Sequence, residues 1–321
     1  MRLIVIAICI VLCACSAPPV RANETDFQSW LQALRQDALT QGIRAETLDR
    51  TLTGLEPIPR VLEYDRRQPE HAVTFEDYLK RTVTAQRVAA ARARLADNRA
   101  LLDEIGRRYG VEPRFIVALW GIESDFGRAM GGFPIIPALA TLAYDGRRSA
   151  FFRGELLNAL KIVDRGDAAP DEMVGSWAGA MGQSQFMPSS YLAYAVDYDG
   201  EGRRDIWHRP ADVFASIANY LAHLGWQRER GWGREIRLPP GFDRGLIGLD
   251  TKRNAAQWRE LGLRRADGGE LPPTEGLWSI VEPGGAEGPA YLISDNYRAV
   301  LKWNASYYFA TAVGYLADRI E

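Results

Sequence analysis

One segment constrains this chain more than any other. Phe115-Ile-Val-Ala-Leu-Trp-Gly-Ile122 is a nearly unbroken apolar run that ends on Glu123 and continues as Ser124-Asp125-Phe126-Gly127. Just before it, Tyr109-Gly110-Val111-Glu112-Pro113 reads as a helix stop followed by a proline in the first turn of the next helix. The run is therefore an apolar helix that carries a carboxylate at its end. Taking a carboxylate out of water without a partner is costly, so such a group keeps its proton and its pKa rises. A carboxylic acid still protonated near neutral pH is what glycosidic bond cleavage asks of a general acid. The plain alternative is a glutamate on a wet helix face, as most glutamates are, and the apolar surroundings weigh against it.

The 321 residues suffice for one large domain or two smaller ones, and with 47% hydrophobic and 25% charged residues a sizeable core is feasible. A net charge of -2 argues against a strongly basic surface for nucleic acid or anionic lipid. Nine Trp and thirteen Tyr supply flat faces suited to stacking on sugar rings, although most such rings serve the core. Cys9, Cys13 and Cys15 all lie near the N-terminus, so the body of the chain has neither disulfide nor thiol chemistry, and thiol proteases and zinc ribbons are excluded. His71, His208 and His223 are scattered and make a poor metal centre, and no Gly-x-Ser-x-Gly elbow is present.

Residues 1–22 read as a targeting segment: Met1-Arg2 is a minimal positive region, and Leu3 to Leu12 is apolar but too short to span a bilayer. Leu12-Cys13-Ala14-Cys15 resembles a bacterial lipobox that would lipidate Cys15, whereas Val20-Arg21-Ala22 resembles an ordinary signal-peptidase site. The lipobox is preferred because Ala-Cys directly follows the apolar run, with Pro18-Pro19 as a tether. Ser16 suits sorting to an outer membrane, so the expected location is periplasmic, anchored by lipid in that membrane's inner leaflet.

From Asp26 to about Tyr109 the pattern is helical, with Phe27, Trp30, Leu31 and Leu34 on one amphipathic face. The stretch from Arg81 to Arg108, rich in Ala, Arg and Leu, predicts one long surface helix. Residues 127–137 read as loop, and 149–164 as a helix with Phe151, Phe152, Leu156, Leu157 and Leu160 inward. A further helix is predicted from Pro210 to Leu224, short strands and loops over 233–300, and one final helix from Trp303 to Ile320. No linker divides the body, so a mainly α fold with one small strand-bearing insert is expected.

The second unusual stretch is Ser176-Trp-Ala-Gly-Ala-Met-Gly-Gln-Ser-Gln-Phe-Met-Pro-Ser-Ser190. Gly179 and Gly182 permit close backbone approach, Pro188 can open a helix, and Ser176 and Gln185 are neutral hydrogen-bonding side chains suited to sugar hydroxyl and N-acetyl groups. Composition alone equally fits a tight packing loop. With Gly121-Ile-Glu-Ser-Asp-Phe-Gly127, Gly179 to Ser190 and Ala218-Asn219-Tyr220, the chain resembles lytic murein transglycosylases of the B type, glycoside hydrolase family 103, over about 26–320. The resemblance implies a lysozyme-like catalytic core at about 100–235 with extra helices from both termini, and peptidoglycan glycan strands as substrate. It implies Glu123 as catalytic acid/base and Ser176, Gln185 and Tyr220 as substrate contacts. No cofactor for catalysis, no nucleic-acid partner and no separate peptidoglycan-binding module are expected, and a monomer is.

Asp197-Tyr-Asp199-Gly-Glu201-Gly202-Arg203-Arg-Asp205 fits the first half of an EF-hand loop, with oxygen ligands at the alternating positions, glycine at the sharp turn and the Arg203 carbonyl following it. The closing glutamate is replaced by His208, and Asp212 could supply the missing carboxylate. The resemblance implies a structural Ca²⁺ here. An acidic turn neutralised by Arg203 and Arg204 is the equal alternative.

The activity implied is non-hydrolytic cleavage of the β-1,4 bond between N-acetylmuramic acid and N-acetylglucosamine, leaving a 1,6-anhydro end. A hydrolysing muramidase with Asp125 as second carboxylate is the nearest rival. Residues two apart on a helix point to different sides, so Asp125 is expected to cap the helix or pair with Arg128. A non-catalytic wall-binding lipoprotein is the rival from another class.

Overall fold

A computed structural model of the chain describes residues 24–67, 73–145 and 148–320. The targeting segment, with Cys15 and both cleavage alternatives, lies outside the described residues, as does His71. Among the described residues no helix is long and apolar enough to cross a membrane.

Helices α1 (Glu24–Thr40), α2 (Ala45–Leu52), α3 (Pro59–Arg66), α4 (Phe75–Thr82), α5 (Ala85–Asp97) and α6 (Arg99–Tyr109) lead into α7 (Pro113–Ser124). Then come β1 (Phe133–Pro134), α8 (Ile135–Tyr144), α9 (Ser149–Arg165), β2 (Val174–Gly175), α10 (Pro188–Tyr194) and α11 (Pro210–His223). The small sheet is built from β3 (Gly233–Arg237), β4 (Gly248–Arg253), β5 (Arg264–Arg265), β6 (Trp278–Val281) and β7 (Ala290–Ile293), with α12 (Ala255–Glu260) between β4 and β5. Helices α13 (Asp295–Trp303) and α14 (Tyr307–Ala317) close the chain.

The expected mainly helical fold with a strand-bearing insert is what the chain adopts. Its five insert strands pair antiparallel in the order β4-β6-β7-β3-β5. Gly110, at φ 69°, ends α6 in the left-handed region, and Pro113 opens α7, as the joint implied. Four expectations need correction. The single long helix over 81–108 is broken twice: Thr84 caps α5 by accepting from Arg87 N at 3.1 Å, and Asn98 leaves helical geometry at ψ 17° before α6 begins. The final helix is two helices, with Trp303 ending α13 rather than opening the last. The 127–137 loop stops at β1 and α8, and Phe151, expected inward on α9, is 51% exposed while Phe152, Leu156 and Leu160 are buried.

Two helical cores and a sheet core organise the molecule. The first surrounds α7, whose residues Phe115 to Trp120 are all buried, packed by α5, α6, α11, α13 and α14. The second is centred on the α8–α9 hairpin, with α1, α2, α3 and α10 against it, and takes in Met181 and Phe186 of the small-residue stretch. Burying an apolar stripe of this kind contributes about 25 cal/mol per Å² removed from water, which is why helices of ordinary propensity form here. Trp303 packs against both helical cores, so the C-terminal end of α7 lies where the two meet.

Candidate active site

Glu123 stands on the last turn of α7. Its Oε1 accepts a hydrogen bond from the Trp303 indole Nε1–H at 2.7 Å. Burial at the seam of the two cores raises the Glu123 pKa from its ordinary value to about 7, and the indole hydrogen bond, which favours the charged form, holds it from going higher. The expectation of a proton-retaining acid at the end of the apolar run is met by this geometry. A group poised near neutrality can give a proton and take one back in successive steps.

Asp125 is diverted elsewhere. The residue occupies the left-handed region at φ 50° as the C-cap of α7, and its carboxylate pairs with Arg128 at 2.9 Å and Arg87 at 3.7 Å. The expected cap and the expected arginine are both present. The turn itself is tight, because Asp125, Phe126 and Gly127 follow one another at positive φ. Ser124 Oγ steadies it by accepting from Gly127 N at 3.0 Å.

The small-residue stretch is brought to the same seam. Strand β2 pairs with β1 in the register Phe133↔Gly175 and Pro134↔Val174, which sets Ser176 against the loop that follows Glu123. Ser176 Oγ accepts from Ala180 N at 3.0 Å and closes a turn, so part of its hydrogen-bonding capacity is structural. Gln185, at φ 50°, donates from Nε2 to the carbonyls of Met130 (3.0 Å) and Gly182 (2.9 Å). Its Oε1 accepts nothing among the described residues. Both predicted close approaches occur: a Cβ at Gly179 would lie 2.5 Å from Leu139, and one at Gly182 2.7 Å from Ile206.

Tyr220, on α11, is the middle ring of a three-ring stack. Tyr194 lies over it at 4.1 Å and 12°, and Trp303 at 4.7 Å and 28°, with Phe186 edge-on at 5.4 Å. Ring contacts of this kind contribute about 0.5–1.5 kcal/mol each beyond area burial. The stack delivers the Trp303 indole to Glu123, so Tyr220 and Glu123 are joined through one intermediary. Sequence reading missed Trp303 in this role. It lies 180 residues from Glu123 along the chain, and no local pattern marks it. Tyr78, on α4, was also missed; its hydroxyl pKa is raised chiefly by burial and also by the charge of Glu123.

At the acidic loop, Asp197, Asp199 and Asp212 bring carboxylate oxygens within 4.8 Å of one another. Asp212 is fully buried, and burial together with the charges of Asp199 and Asp197 raises its pKa to about 6, although two backbone N–H groups, of Tyr198 and Asp205, donate to it. Three carboxylates whose oxygens converge in this way fit a hard divalent cation with oxygen ligands. Glu201 turns its carboxylate to Arg209, which also pairs with Asp199 at 2.9 Å, and the Arg203 guanidinium faces Glu172 at 3.7 Å. Asp197 also accepts from the N–H groups of Gly200, Glu201 and Gly202, which folds the loop.

A lone acid poised near neutrality, set beside stacked aromatic rings on a lysozyme-like helical frame, defines a glycan-cleaving class of protein. The chain belongs to the transglycosylase SLT domain family (SLT_2), which matches residues 26–318. It is 40% identical to membrane-bound lytic murein transglycosylase B of Escherichia coli (strain K12) over 161 residues, 48% of this chain and 42% of that protein, so the match spans less than half of that relative. Among solved structures, SltB3 from Pseudomonas aeruginosa in complex with NAG-anhNAM-pentapeptide is 46% identical with a TM-score of 0.89, covering 92% of this chain and 79% of that one. The Escherichia coli lytic transglycosylase Slt35 in complex with calcium is 30% identical with a TM-score of 0.77, covering 90% of this chain and 92% of that one.

Proposed function

We propose that the protein cleaves the β-1,4 bond between N-acetylmuramic acid and N-acetylglucosamine in peptidoglycan without consuming water, and so remodels the cell wall. The observation that carries this is Glu123, a single carboxyl held near pKa 7 with its neighbour Asp125 committed to two arginines. Protonated Glu123 donates to the bridging oxygen as the C1–O bond breaks. The N-acetyl carbonyl oxygen of the muramic ring stabilises C1. The Glu123 carboxylate then takes the proton of that ring's C6 hydroxyl, and O6 closes onto C1. Glu123 ends protonated, as it began, and the product is a 1,6-anhydro end. Most glycosidases need a second carboxylate for base or nucleophile; here the substrate supplies those atoms. The complex of SltB3 with a NAG-anhNAM-pentapeptide supports this reading.

Ser176, Gln185 and Tyr220 are assigned to substrate contact, with the free Gln185 Oε1 suited to an amide or hydroxyl donor. Asp197, Asp199 and Asp212 are assigned to a structural Ca²⁺, with the Arg203 carbonyl and Glu201 as lesser candidates; the calcium complex of Slt35 supports that assignment. The ion takes no part in the chemistry. Lipidation at Cys15 and a periplasmic, outer-membrane-anchored monomer complete the proposal, supported by the lipobox and by the membrane-bound name of the 40% identical relative.

Mass spectrometry of sacculi digested by the purified protein tests the chemistry. Anhydro-muramic ends are expected, and reducing ends would mean a hydrolysing muramidase instead.

A further inference from the structure

Between the acidic loop and α7 sits Gln183, whose side chain uses both of its polar ends. Its Oε1 accepts from the Trp120 indole Nε1–H at 2.7 Å, and its Nε2 donates to the Trp207 carbonyl at 2.7 Å. Its backbone N–H donates to the Ile206 carbonyl at 2.8 Å. The amide also fills the space that Gly127 leaves open: a Cβ there, at φ 82°, would lie 2.5 Å from Gln183 Oε1. One side chain thus interlocks the turn after Glu123, the catalytic helix and the segment that follows the acidic loop.

The other end of this chain of bonds is anchored on the carboxylates. Trp207 N–H donates to Asp205 Oδ1 at 2.9 Å, and Asp205 N–H donates to Asp212 Oδ2 at 2.8 Å. Asp212 faces Asp197 and Asp199 with carboxylate oxygens within 4.8 Å of theirs, so a cation held by the three would fix where Asp212 stands. At the near end, Trp120 lies three residues before Glu123, on the same face of α7. Its ring packs edgewise on Phe126 at 5.3 Å and Phe214 at 5.0 Å, which makes it a fixed lever on the rotation of the helix. The same helix face carries Glu123 to the Trp303 indole, which it meets at 2.7 Å.

We propose that Gln183 is a positioning residue that couples occupation of the acidic loop by a divalent cation to the setting of Glu123. The proposal rests on the calcium reading above and goes beyond it, since it gives the ion a mechanical connection to the catalytic helix through Asp212, Asp205, Trp207, Gln183 and Trp120. Coupling of this kind is reciprocal, so breaking the relay at the helix must weaken cation binding at the loop. A glutamine that merely satisfies neighbouring polar groups has no such effect.

The test uses the full chain, freed of metal and titrated calorimetrically with Ca²⁺ alone, for the wild type, Gln183→Met, Trp120→Phe and the double variant. Methionine keeps the volume of Gln183 and removes both hydrogen bonds; phenylalanine removes only the indole donor, on the far side of Gln183 from the acidic loop. Each single variant is expected to bind Ca²⁺ about fivefold or more weakly, at the low end of ordinary coupling. The double variant should lose no more than either single, because both cut one path. On glycan strands kcat should fall while KM stays within about twofold, because the relay sets the acid rather than a substrate contact. Circular dichroism and thermal unfolding establish that each variant is folded, and Trp120→Phe decides the matter if Gln183→Met is not. Wild-type calcium affinity in a folded Trp120→Phe overturns the relay and leaves the calcium reading standing. No calcium binding by the wild type overturns both.

Discussion

Replacing Glu123 by glutamine should stabilise the protein, and by an amount that depends on pH in a prescribed way. The folded-state pKa of Glu123 is raised from 4.5 to about 7 by burial. A carboxyl with a raised folded pKa binds its proton more tightly in the native state, so below the unfolded value it costs nothing. As pH rises from about 4.5 to about 7 the unfolded chain ionises first, and stability is lost until the folded group ionises too. The difference of about 2.5 units, at about 1.4 kcal/mol each, sets a ceiling of about 3.5 kcal/mol on that loss. Partial access of water at the seam brings the expected value down to about 2 kcal/mol. Glutamine removes the titration while its Oε1 still accepts from the Trp303 indole, so the stack on Tyr220 stays in place. Thermal unfolding of both proteins between pH 4 and pH 8.5 measures the effect. The curves should coincide near pH 4 and diverge through about pH 7, with the glutamine variant more stable above it. For a chain of this size about 2 kcal/mol corresponds to about 3 °C in Tm. Glutamine variant and wild type melting together at pH 8 would show that Glu123 is not held protonated, and the case for it as the acid would fail with it.

Trp303→Phe removes the indole donor that favours the Glu123 carboxylate, a charge-assisted bond worth about 1.5–3 kcal/mol, so the alkaline limb of kcat should move upward by about one to two units; a downward move would contradict the assignment. Asp125→Asn should keep turnover within about threefold, because its carboxylate serves Arg128 and Arg87, whereas loss of about a thousandfold would restore the two-carboxylate hydrolase. Added Ca²⁺ should raise Tm at pH 7.5 and do so far less at pH 5, where Asp212, with its pKa near 6, is protonated and the ion must displace that proton. An equal rise at both values would mean that Asp212 is not a ligand.

How much of this was written locally can be judged residue by residue. The apolar run and its terminal carboxylate were legible because a helix apolar on nearly all sides must be buried, and a carboxyl at its end is drawn out of water with it. The stop at Gly110 and the start at Pro113 follow from backbone restrictions on single residues. The alternation of acidic residues at Asp197 and Asp199 likewise declared itself, and the more distant Asp212 was reachable because it opens the next helix. The break at Asn98 was not legible, since an Ala- and Arg-rich stretch continues a helix unless packing bends it.

What only the tertiary structure decided is the company each of these residues keeps. The sequence by itself determined that a proton-holding acid ends a core helix and that an acidic loop precedes another. It carried no sign that an indole 180 residues away would be its hydrogen-bond partner, or that Gln183 would bridge Trp120 to the segment behind the acidic loop. Helical and turn preferences act within a few residues, whereas ring stacking and hydrogen bonds between helices depend on how two separately packed cores meet. That meeting is set by the shape of buried surface, which no window of sequence contains.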